Sequence, residues 1–155
     1  MENQKKKVSV VKERIQKNQR AVGNHGFSLL ELMAVMVILG LIATIAVPQY
    51  FKQVVKAKQH TAKTQIEMLM TAMDSYRLDV GKYPSGQEGI EALVENSGSD
   101  KWAGPYLQKG VPNDPWDNPY IYENPGQNGE IDIYSYGADG QSGGDGENAD
   151  VGSWQ

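Results

Sequence analysis

The stretch that decides the fold is FSLLELMAVMVILGLIATIAV, residues 27–47, whose 21 residues include one charged side chain, Glu31. A helix rises about 1.5 Å per residue, so 21 residues span roughly 30 Å, the thickness of bilayer hydrocarbon. A secretory signal peptide has an apolar core of only about 7–15 residues, followed by a small-residue cleavage site. The stretch therefore predicts a membrane-spanning helix, and a plain signal anchor is the simplest alternative to a helix with a second role.

Charge is divided sharply between the two sides of this stretch. Residues 1–26 carry seven basic and two acidic side chains, whereas the remaining 129 residues carry eight basic and 17 acidic ones. Basic flanks stay in the cytoplasm, which predicts a cytoplasmic N-terminus and places the part after Pro48 on the far side of the membrane. No Lys or Arg follows Lys109, so no nucleic-acid partner is expected. The absence of cysteine excludes disulfides and thiolate metal sites.

Glu31 is the residue that a plain anchor does not explain. A carboxylate in an apolar span costs roughly 2.5–3.5 kcal/mol near the bilayer centre, and the nearest basic residues in the sequence are Arg20 and Lys52. Cleavage before Phe27 would create an α-amino group about one helical turn from Glu31. In an assembly of such helices, the carboxylate of one subunit would pair with the terminal amine of its neighbour. Glu31 is therefore predicted to be an assembly residue.

Beyond Pro48 the pattern changes to an amphipathic helix. Apolar residues recur at helical spacing in the order Ile66, Leu69, Met70, Met73 and then Tyr76 or Arg77. This spacing predicts that the helix continues to about Gly81, giving an element of more than 50 residues with a transmembrane half and an amphipathic half.

The part after Gly81 predicts a small α+β head. Residues 87–95 indicate a short helix, and residues 102–122 are rich in proline and aromatic residues, which favours a loop that folds back as a small core. Two short strands are predicted at residues 119–123 and 131–136, joined in a hairpin by the Asn- and Gly-rich residues between them. The fold class is thus a long N-terminal helix packed on a small antiparallel sheet.

An acidic, glycine-rich segment follows the second predicted strand. Residues 137–150 (GADGQSGGDGENAD) contain five glycines and four carboxylates, too polar to form a core. Acids crowded on such a segment repel one another, and a bound hard dication usually offsets this repulsion. The alternative interpretation of the segment is a disordered acidic tail. The segment is not an EF-hand, because Gln141 and Gly143 stand where further Asp or Asn would be required.

The run Gly26-Phe27-Ser28-Leu29-Leu30-Glu31 resembles the signal of prepilins and pseudopilins, in which a membrane peptidase cuts after the glycine. The head resembles the major pseudopilins of type II secretion systems through the sequences GKYP, GPYL, DPWDNPY and GADG, so the resemblance extends from residue 26 to residue 154. One departure is Asp117, where the family usually has glycine. We expect the loop to survive, because Asp tolerates turn conformations.

The resemblance implies a pilin-like fold in a bacterial inner membrane. It divides the chain into a cleaved cytoplasmic leader (1–26), a transmembrane and filament-core helix (27–47) and a periplasmic globular domain (48–155). Phe27 would become the N-methylated terminus, and the helix before Pro48 would be able to lose helicity on assembly. The implied function is a structural subunit that polymerises into a periplasmic pseudopilus and drives export of folded proteins across the outer membrane. The implied partners are copies of itself, minor pseudopilins, the prepilin peptidase, and an inner-membrane assembly platform with its ATPase.

The resemblance also implies a structural calcium ion in the acidic segment. Asp139 and Asp150 are its first expected ligands and Asp145 the next, with Glu147 as an alternative to Asp145. Weaker candidates are Ser142 and the backbone carbonyls of Tyr136 and Val151.

Other functions remain as alternatives. A type IV pilus or minor pseudopilin subunit would share the anchor, although many pilins close their C-terminal region with a disulfide that this chain cannot form. A membrane-anchored periplasmic calcium-binding domain or enzyme would not need Glu31. No Ser/His/Asp set or phosphate loop is evident, so no catalysis is expected.

Overall fold

The computed structural model describes residues 26–155, so the predicted leader lies outside the described residues except for Gly26. Its first element is a 52-residue helix, α1, from Leu29–Val80. Ser28 caps α1, because its Oγ accepts a hydrogen bond from the Glu31 N–H at 3.1 Å. Gly81 ends it with a φ of 91° and an N–H that donates to the Arg77 carbonyl. The predicted helix of more than 50 residues is confirmed.

The chain divides into two compact units, with the boundary between Ala46 and Val47. In the first unit the apolar side chains of α1 are exposed on every face. Among residues 26–155, α1 is the one helix that is long and apolar enough to cross a membrane, and none of its most apolar window is buried. A helix that is apolar all round requires an apolar environment.

Pro48 lies inside α1 rather than at its end. Because proline has no backbone N–H, one hydrogen bond of the helical ladder is missing in the turn before it. Helix nevertheless continues on both sides of Pro48.

In the second unit, α1 buries one stripe against the head. The buried residues of this stripe are Ala62, Ile66, Leu69, Ala72, Met73 and Tyr76. Met70 is partly buried, while Arg77 is exposed and pairs with Glu130. Each fully buried Ile, Leu or Met contributes about 1.5–3 kcal/mol relative to exposure, so this stripe is the main apolar attachment of the helix. The predicted periodicity is confirmed.

The sheet has three short antiparallel strands in the order β1-β2-β3. They are β1 (Ile121–Glu123), β2 (Asp132–Ser135) and β3 (Val151–Gly152). Ile121 pairs with Tyr134, and Tyr134 pairs with Gly152 on the other side. The first two strands are those predicted at 119–123 and 131–136, although both are shorter. β3 was not predicted, because two residues carry no period that a sequence can display.

The short helix predicted at residues 87–95 is present only as a four-residue 3₁₀ helix, Ile90–Leu93, so its predicted length is wrong. Gly89 has a φ of 65°, and a right-handed helix cannot pass through that conformation. Glu88 lies outside the turn and accepts hydrogen bonds from the Ser85 N–H and hydroxyl and from the Ser97 hydroxyl. These bonds lower the pKa of Glu88 to about 2.

The proline- and aromatic-rich segment folds back onto the core, as predicted. Trp102, Tyr106 and Trp116 are partly buried against the core residues. The Trp102 indole N–H donates to the Ala92 carbonyl at 2.9 Å, and the Tyr106 hydroxyl donates to Asp79 at 2.9 Å. The polar atoms of Trp102 and Tyr106 are therefore satisfied, whereas the buried Trp116 Nε1 has no hydrogen-bond partner within residues 26–155.

Candidate functional site

The acidic segment and the residue before it, Tyr136, connect β2 to β3, and residues 136–150 are called the acidic loop below. Its two 3₁₀ turns, Gly137–Asp139 and Gly146–Asn148, pack against each other. Gly137 has a φ of 69°, and a Cβ there would lie 2.7 Å from the Glu147 carbonyl oxygen. Such close backbone packing contradicts the alternative of a disordered acidic tail.

Asp150, the last residue of the acidic loop, has a carboxylate with one satisfied and one unsatisfied oxygen. Its Oδ2 accepts a hydrogen bond from the Gly143 N–H at 2.9 Å. Its Oδ1 is buried and has no hydrogen-bond partner within residues 26–155. A buried acceptor without a partner costs about 1–3 kcal/mol, and more when it is charged. A cation at this oxygen would remove that cost.

The other expected ligands lie around the loop but do not form a closed set of carboxylates. Asp139 Oδ1 accepts from the Gln141 N–H at 3.1 Å, and the Asp145 and Ser142 side chains are exposed. Tyr136 is half-buried and Val151 is buried at the two ends of the loop. In the described part of the chain, no three Asp, Glu, His or Cys side chains converge as a metal-binding group. A calcium ion here would therefore need hydroxyl or backbone oxygens as well, and every donor in the set is oxygen, as calcium prefers.

Glu147 is already engaged by α1. Its Oε1 lies 3.3 Å from Lys58 Nζ, and the neighbouring Gly146 carbonyl accepts a hydrogen bond from Gln59 Nε2 at 2.7 Å. The Lys58 ammonium also lies 5.9 Å from the centre of the Trp116 ring. The ion pair is about 35–44% exposed, so it contributes at most about 1 kcal/mol, but it fixes where Glu147 points. Asp145 and Glu147 are the two candidates for the middle calcium ligand, and only Glu147 is paired with Lys58. The Asp145 carboxylate is therefore the more available of the two for a cation.

Sequence reasoning missed a buried polar cluster beside the start of the acidic loop. Asp114 Oδ1 accepts from the backbone N–H groups of Trp116 and Asn118 at 2.9 and 2.8 Å, and Oδ2 accepts from the Ser135 hydroxyl. Ser135 Oγ in turn accepts from the Gly137 N–H at 3.0 Å, and Asn118 Nδ2 donates to the Gly137 carbonyl at 2.9 Å. Burial, and to a lesser extent the Asp114 charge, raises the pKa of Tyr120 above its ordinary value. The Asp-Pro dipeptide signals a turn but not the contact with Ser135, which is 21 residues away.

Asp117 adopts a φ of 72°, in the left-handed region that favours glycine. Its Oδ1 accepts a hydrogen bond from Asn113 Nδ2 at 3.0 Å. The expectation that this loop survives with Asp in place of glycine is confirmed.

At the N-terminal end, Gly26 and Phe27 lie outside α1 and are exposed. Glu31 is exposed in the first turn, where a carboxylate interacts favourably with the helix dipole. No ion pair of Glu31 is found within residues 26–155. The sequence Ser28-Leu29-Leu30-Glu31 has the S-x-x-E spacing of a capping box, which is typical of a helix start.

Comparison with known proteins gives a consistent family. Residues 49–154 match the family described as Type II secretion system (T2SS), protein G, and residues 23–47 match the Prokaryotic N-terminal methylation motif. A Type II secretion system core protein G of Pseudomonas aeruginosa is 45% identical over 133 residues, covering 83% of this chain and 94% of that protein. The protein of the same name from Vibrio cholerae is 44% identical, covering 83% and 90%.

A solved structure agrees with these relatives. The crystal structure of the major pseudopilin from the type 2 secretion system of enterohaemorrhagic Escherichia coli is similar to this fold, with a TM-score of 0.55 and 33% identity. The similarity covers 64% of this chain and 88% of that one. The resemblance seen in the sequence is thereby confirmed, and the chain belongs to the protein G family of type II secretion systems, the major pseudopilins.

Proposed function

We propose that this chain is a structural subunit that polymerises into the periplasmic pseudopilus of a type II secretion system and drives export of folded proteins across the outer membrane. The observation that carries the proposal is the part of α1 that lies in the first unit, residues 29–46. Its apolar side chains are exposed on all faces, and its one carboxylate is Glu31. Before assembly, lipid covers such a surface; in a filament, the equivalent helices of other subunits cover it. Glu31 then pairs with the terminal amine of a neighbouring subunit.

The proposal includes processing at the bond between Gly26 and Phe27 by a prepilin peptidase, followed by N-methylation of Phe27. Support comes from the methylation motif, which spans this bond, and from the exposure of both residues outside the helix. Within residues 26–155, no atom lies within 4 Å of the position where a Gly26 Cβ would lie. Exposed, non-helical backbone is what a peptidase needs to bind an extended substrate.

The proposed topology is a single pass through the bacterial inner membrane, with residues 1–26 in the cytoplasm and residues 48–155 in the periplasm. It follows from the basic excess before the apolar segment. The finer partners proposed are minor pseudopilins and an inner-membrane assembly platform with its ATPase, because growth of a filament that moves other proteins needs a source of work. We assign no catalytic residue to the chain.

The acidic loop is proposed to hold a structural calcium ion. Asp139 and Asp150 would supply the first carboxylates and Asp145 the middle one, with Ser142 and the carbonyls of Tyr136 and Val151 completing an oxygen set. The buried, unpartnered Oδ1 of Asp150 supports this, as does the engagement of Glu147 by Lys58. The ion would offset repulsion among the acids and tie the loop between β2 and β3.

The first test is intact-mass spectrometry of the protein purified from membranes of its native host, comparing wild type with Gly26→Ala. The expected wild-type mass is that of residues 27–155 plus one methyl group, while the variant stays unprocessed. A full-length product, or one trimmed elsewhere, would contradict the processing and leave an anchored domain without a route to assembly.

The second test separates assembly from helix capping at Glu31. Glu31→Gln removes the charge but keeps the N–H that Ser28 binds, and it should abolish filaments and secretion while the protein still inserts in the membrane. Ser28→Ala is the matched control, since it removes the cap and keeps the carboxylate. Filaments are counted by electron microscopy and secretion by the amount of exported protein. Equal losses in both variants would mean that Glu31 acts only through the helix terminus.

A further inference from the structure

Asp114 is a buried carboxylate whose partners are all neutral. It is 5% exposed and forms no ion pair in the part of the chain that the structure describes. Its charge is instead stabilised by three donors, the N–H groups of Trp116 and Asn118 on Oδ1 and the Ser135 hydroxyl on Oδ2. A buried charge held by neutral donors fixes those donors firmly, because losing any of them exposes the charge to an apolar interior.

Ser135 and Asn118, which Asp114 holds, both form hydrogen bonds with Gly137. The Ser135 hydroxyl donates to Asp114 and its oxygen accepts the Gly137 N–H at 3.0 Å. Asn118, whose backbone N–H is held by Asp114, donates from its side-chain amide to the Gly137 carbonyl at 2.9 Å. The two backbone polar atoms of Gly137 are thus held from two sides, at a residue with a φ of 69° and no room for a side chain.

The Gly137 N–H belongs to the same peptide plane as the Tyr136 carbonyl. In a trans peptide the N–H and C=O point in opposite directions, so a hydrogen bond that orients one also orients the other. The peptide between Tyr136 and Gly137 is trans. Holding the Gly137 N–H on Ser135 therefore sets the direction of the Tyr136 carbonyl, a candidate ligand at the first corner of the acidic loop.

We propose that Asp114 is a positioning residue for the acidic loop: acting through Ser135 and Asn118, it fixes the Tyr136–Gly137 peptide and so the geometry in which the loop accepts a cation. This inference rests on the proposed calcium site, but the positioning of the loop can be measured without metal. Partners that orient metal ligands typically change affinity by about 10–100-fold when removed.

Asp132 supplies a matched control, because it is equally buried and acts on a different loop. It is 2% exposed, and its Oδ2 accepts hydrogen bonds from the N–H groups of Gln127 and Asn128 and from the Asn128 side chain. These bonds hold the connection between β1 and β2, not the acidic loop. A purely structural role for Asp114 would make Asp114→Asn and Asp132→Asn behave alike.

The experiment uses the full chain in detergent micelles and compares wild type with Asp114→Asn, Ser135→Ala and Asp132→Asn. Hydrogen exchange of residues 136–150 is measured by mass spectrometry in the metal-free protein, and calcium affinity is measured by titration calorimetry. Asp114→Asn and Ser135→Ala should each speed exchange in residues 136–150 and weaken calcium binding by at least about tenfold. Asp132→Asn should speed exchange only near residues 124–131. It should leave calcium affinity within about twofold, because the hydrogen bonds from Asp114 through Ser135 and Asn118 to Gly137 stay in place.

The double variant Asp114→Asn/Ser135→Ala should bind calcium no more weakly than the weaker of the two single variants, because Ser135 lies within the set of hydrogen bonds that Asp114 fixes. If Asp114→Asn does not fold, Ser135→Ala decides, since it removes one hydroxyl and little volume. Unchanged exchange in residues 136–150, or equal effects of Asp114→Asn and Asp132→Asn, would overturn the inference. A wild-type chain that binds no calcium, with Asp114→Asn still loosening the loop, would overturn the calcium site and support the positioning.

Discussion

Asp117 has a backbone conformation that costs most L-residues about 1–2 kcal/mol. Its side chain offsets part of this cost by accepting a hydrogen bond from Asn113, and Asp itself tolerates the left-handed region better than most residues. The position therefore accepts Asp or Gly for different reasons. Alanine has neither the conformational freedom of glycine nor the hydrogen-bonding side chain of Asp, so it should be disfavoured at this position.

We expect Asp117→Ala to lower the free energy of unfolding by about 1–2 kcal/mol, whereas Asp117→Gly stays within about 1 kcal/mol of wild type. The measurement is thermal unfolding of the full chain in detergent, followed by fluorescence. Asp100→Ala, at an exposed position in another loop, is the control. Equal losses of stability in the glycine and alanine variants would show that the Asn113 contact, which both variants remove, and not φ, dominates.

Glu88 makes stability depend on acidity in a defined window. Its folded-state pKa of about 2 lies below the ordinary value of 4.5, mainly because the Ser85 hydroxyl and N–H and the Ser97 hydroxyl bind the ionised form. A group with a depressed pKa stabilises the fold above its unfolded pKa, and this contribution is lost as pH falls from about 4.5 towards 2. Glu88 is half-buried, so solvent screens part of this contribution and keeps it modest.

Glu88→Gln should therefore lower the melting temperature at pH 6 and have a smaller effect at pH 2.5. The comparison at each pH is with wild type, so the protonation of other carboxylates cancels. Glu95→Gln, an exposed glutamate outside this cluster, should show no such pH-dependent difference. An equal loss at both pH values would mean that the side chain packs there without being held as an anion.

Among the elements, the acidic loop shows which features can be predicted from sequence and which cannot. Its glycines and carboxylates predict a cation loop, and its position after a strand follows once β2 is known. Its docking on α1 through Lys58 depends on residues 89 positions apart, and the choice between Asp145 and Glu147 depends on that contact. The long helix was predictable because its signal repeats over many turns, whereas β3 and the Asp114 cluster rest on single tertiary contacts that have no local pattern.

Asp145→Asn should reduce the calcium-dependent rise in melting temperature more than Glu147→Gln does. The reason is that Glu147 is matched by Lys58 while the Asp145 carboxylate is exposed and available. A ligand at 100 times its Kd stabilises a protein by about 2.7 kcal/mol, which is easily measured as a shift between chelator and excess calcium. A larger loss from Glu147→Gln would assign the middle ligand to Glu147.

At the scale of the whole molecule, processing changes the balance of charge. Removal of residues 1–26 would take away a net charge of +5 and leave residues 27–155 with eight basic and 17 acidic side chains. Heads brought together in a filament would then repel one another over about 10 Å at 0.1 M salt, and further at lower salt. Apolar contacts among the helices must exceed this repulsion for a filament to persist.

We expect filaments of the wild-type chain to shed subunits when salt is lowered from 150 to 10 mM, as measured by sedimentation of sheared filaments. Replacing two exposed acids, Glu95→Lys with Asp100→Lys, should reduce this sensitivity because it lowers the net negative charge by four. Subunit loss that is equal at both salt concentrations, or greater at 150 mM, would contradict a role for head repulsion.

The contact between Lys58 and Trp116 gives the molecule an intrinsic optical reporter. An ammonium ion 5.9 Å from the centre of an indole ring shifts the wavelength at which the ring emits, and the same Lys58 ammonium lies 3.3 Å from the Glu147 carboxylate of the acidic loop. The chain has three tryptophans, so replacing Trp102 and Trp154 by phenylalanine would leave one emitter at the junction of the helix and the acidic loop. Undocking of that loop would then be visible as a change of emission wavelength in the purified protein, without any attached dye.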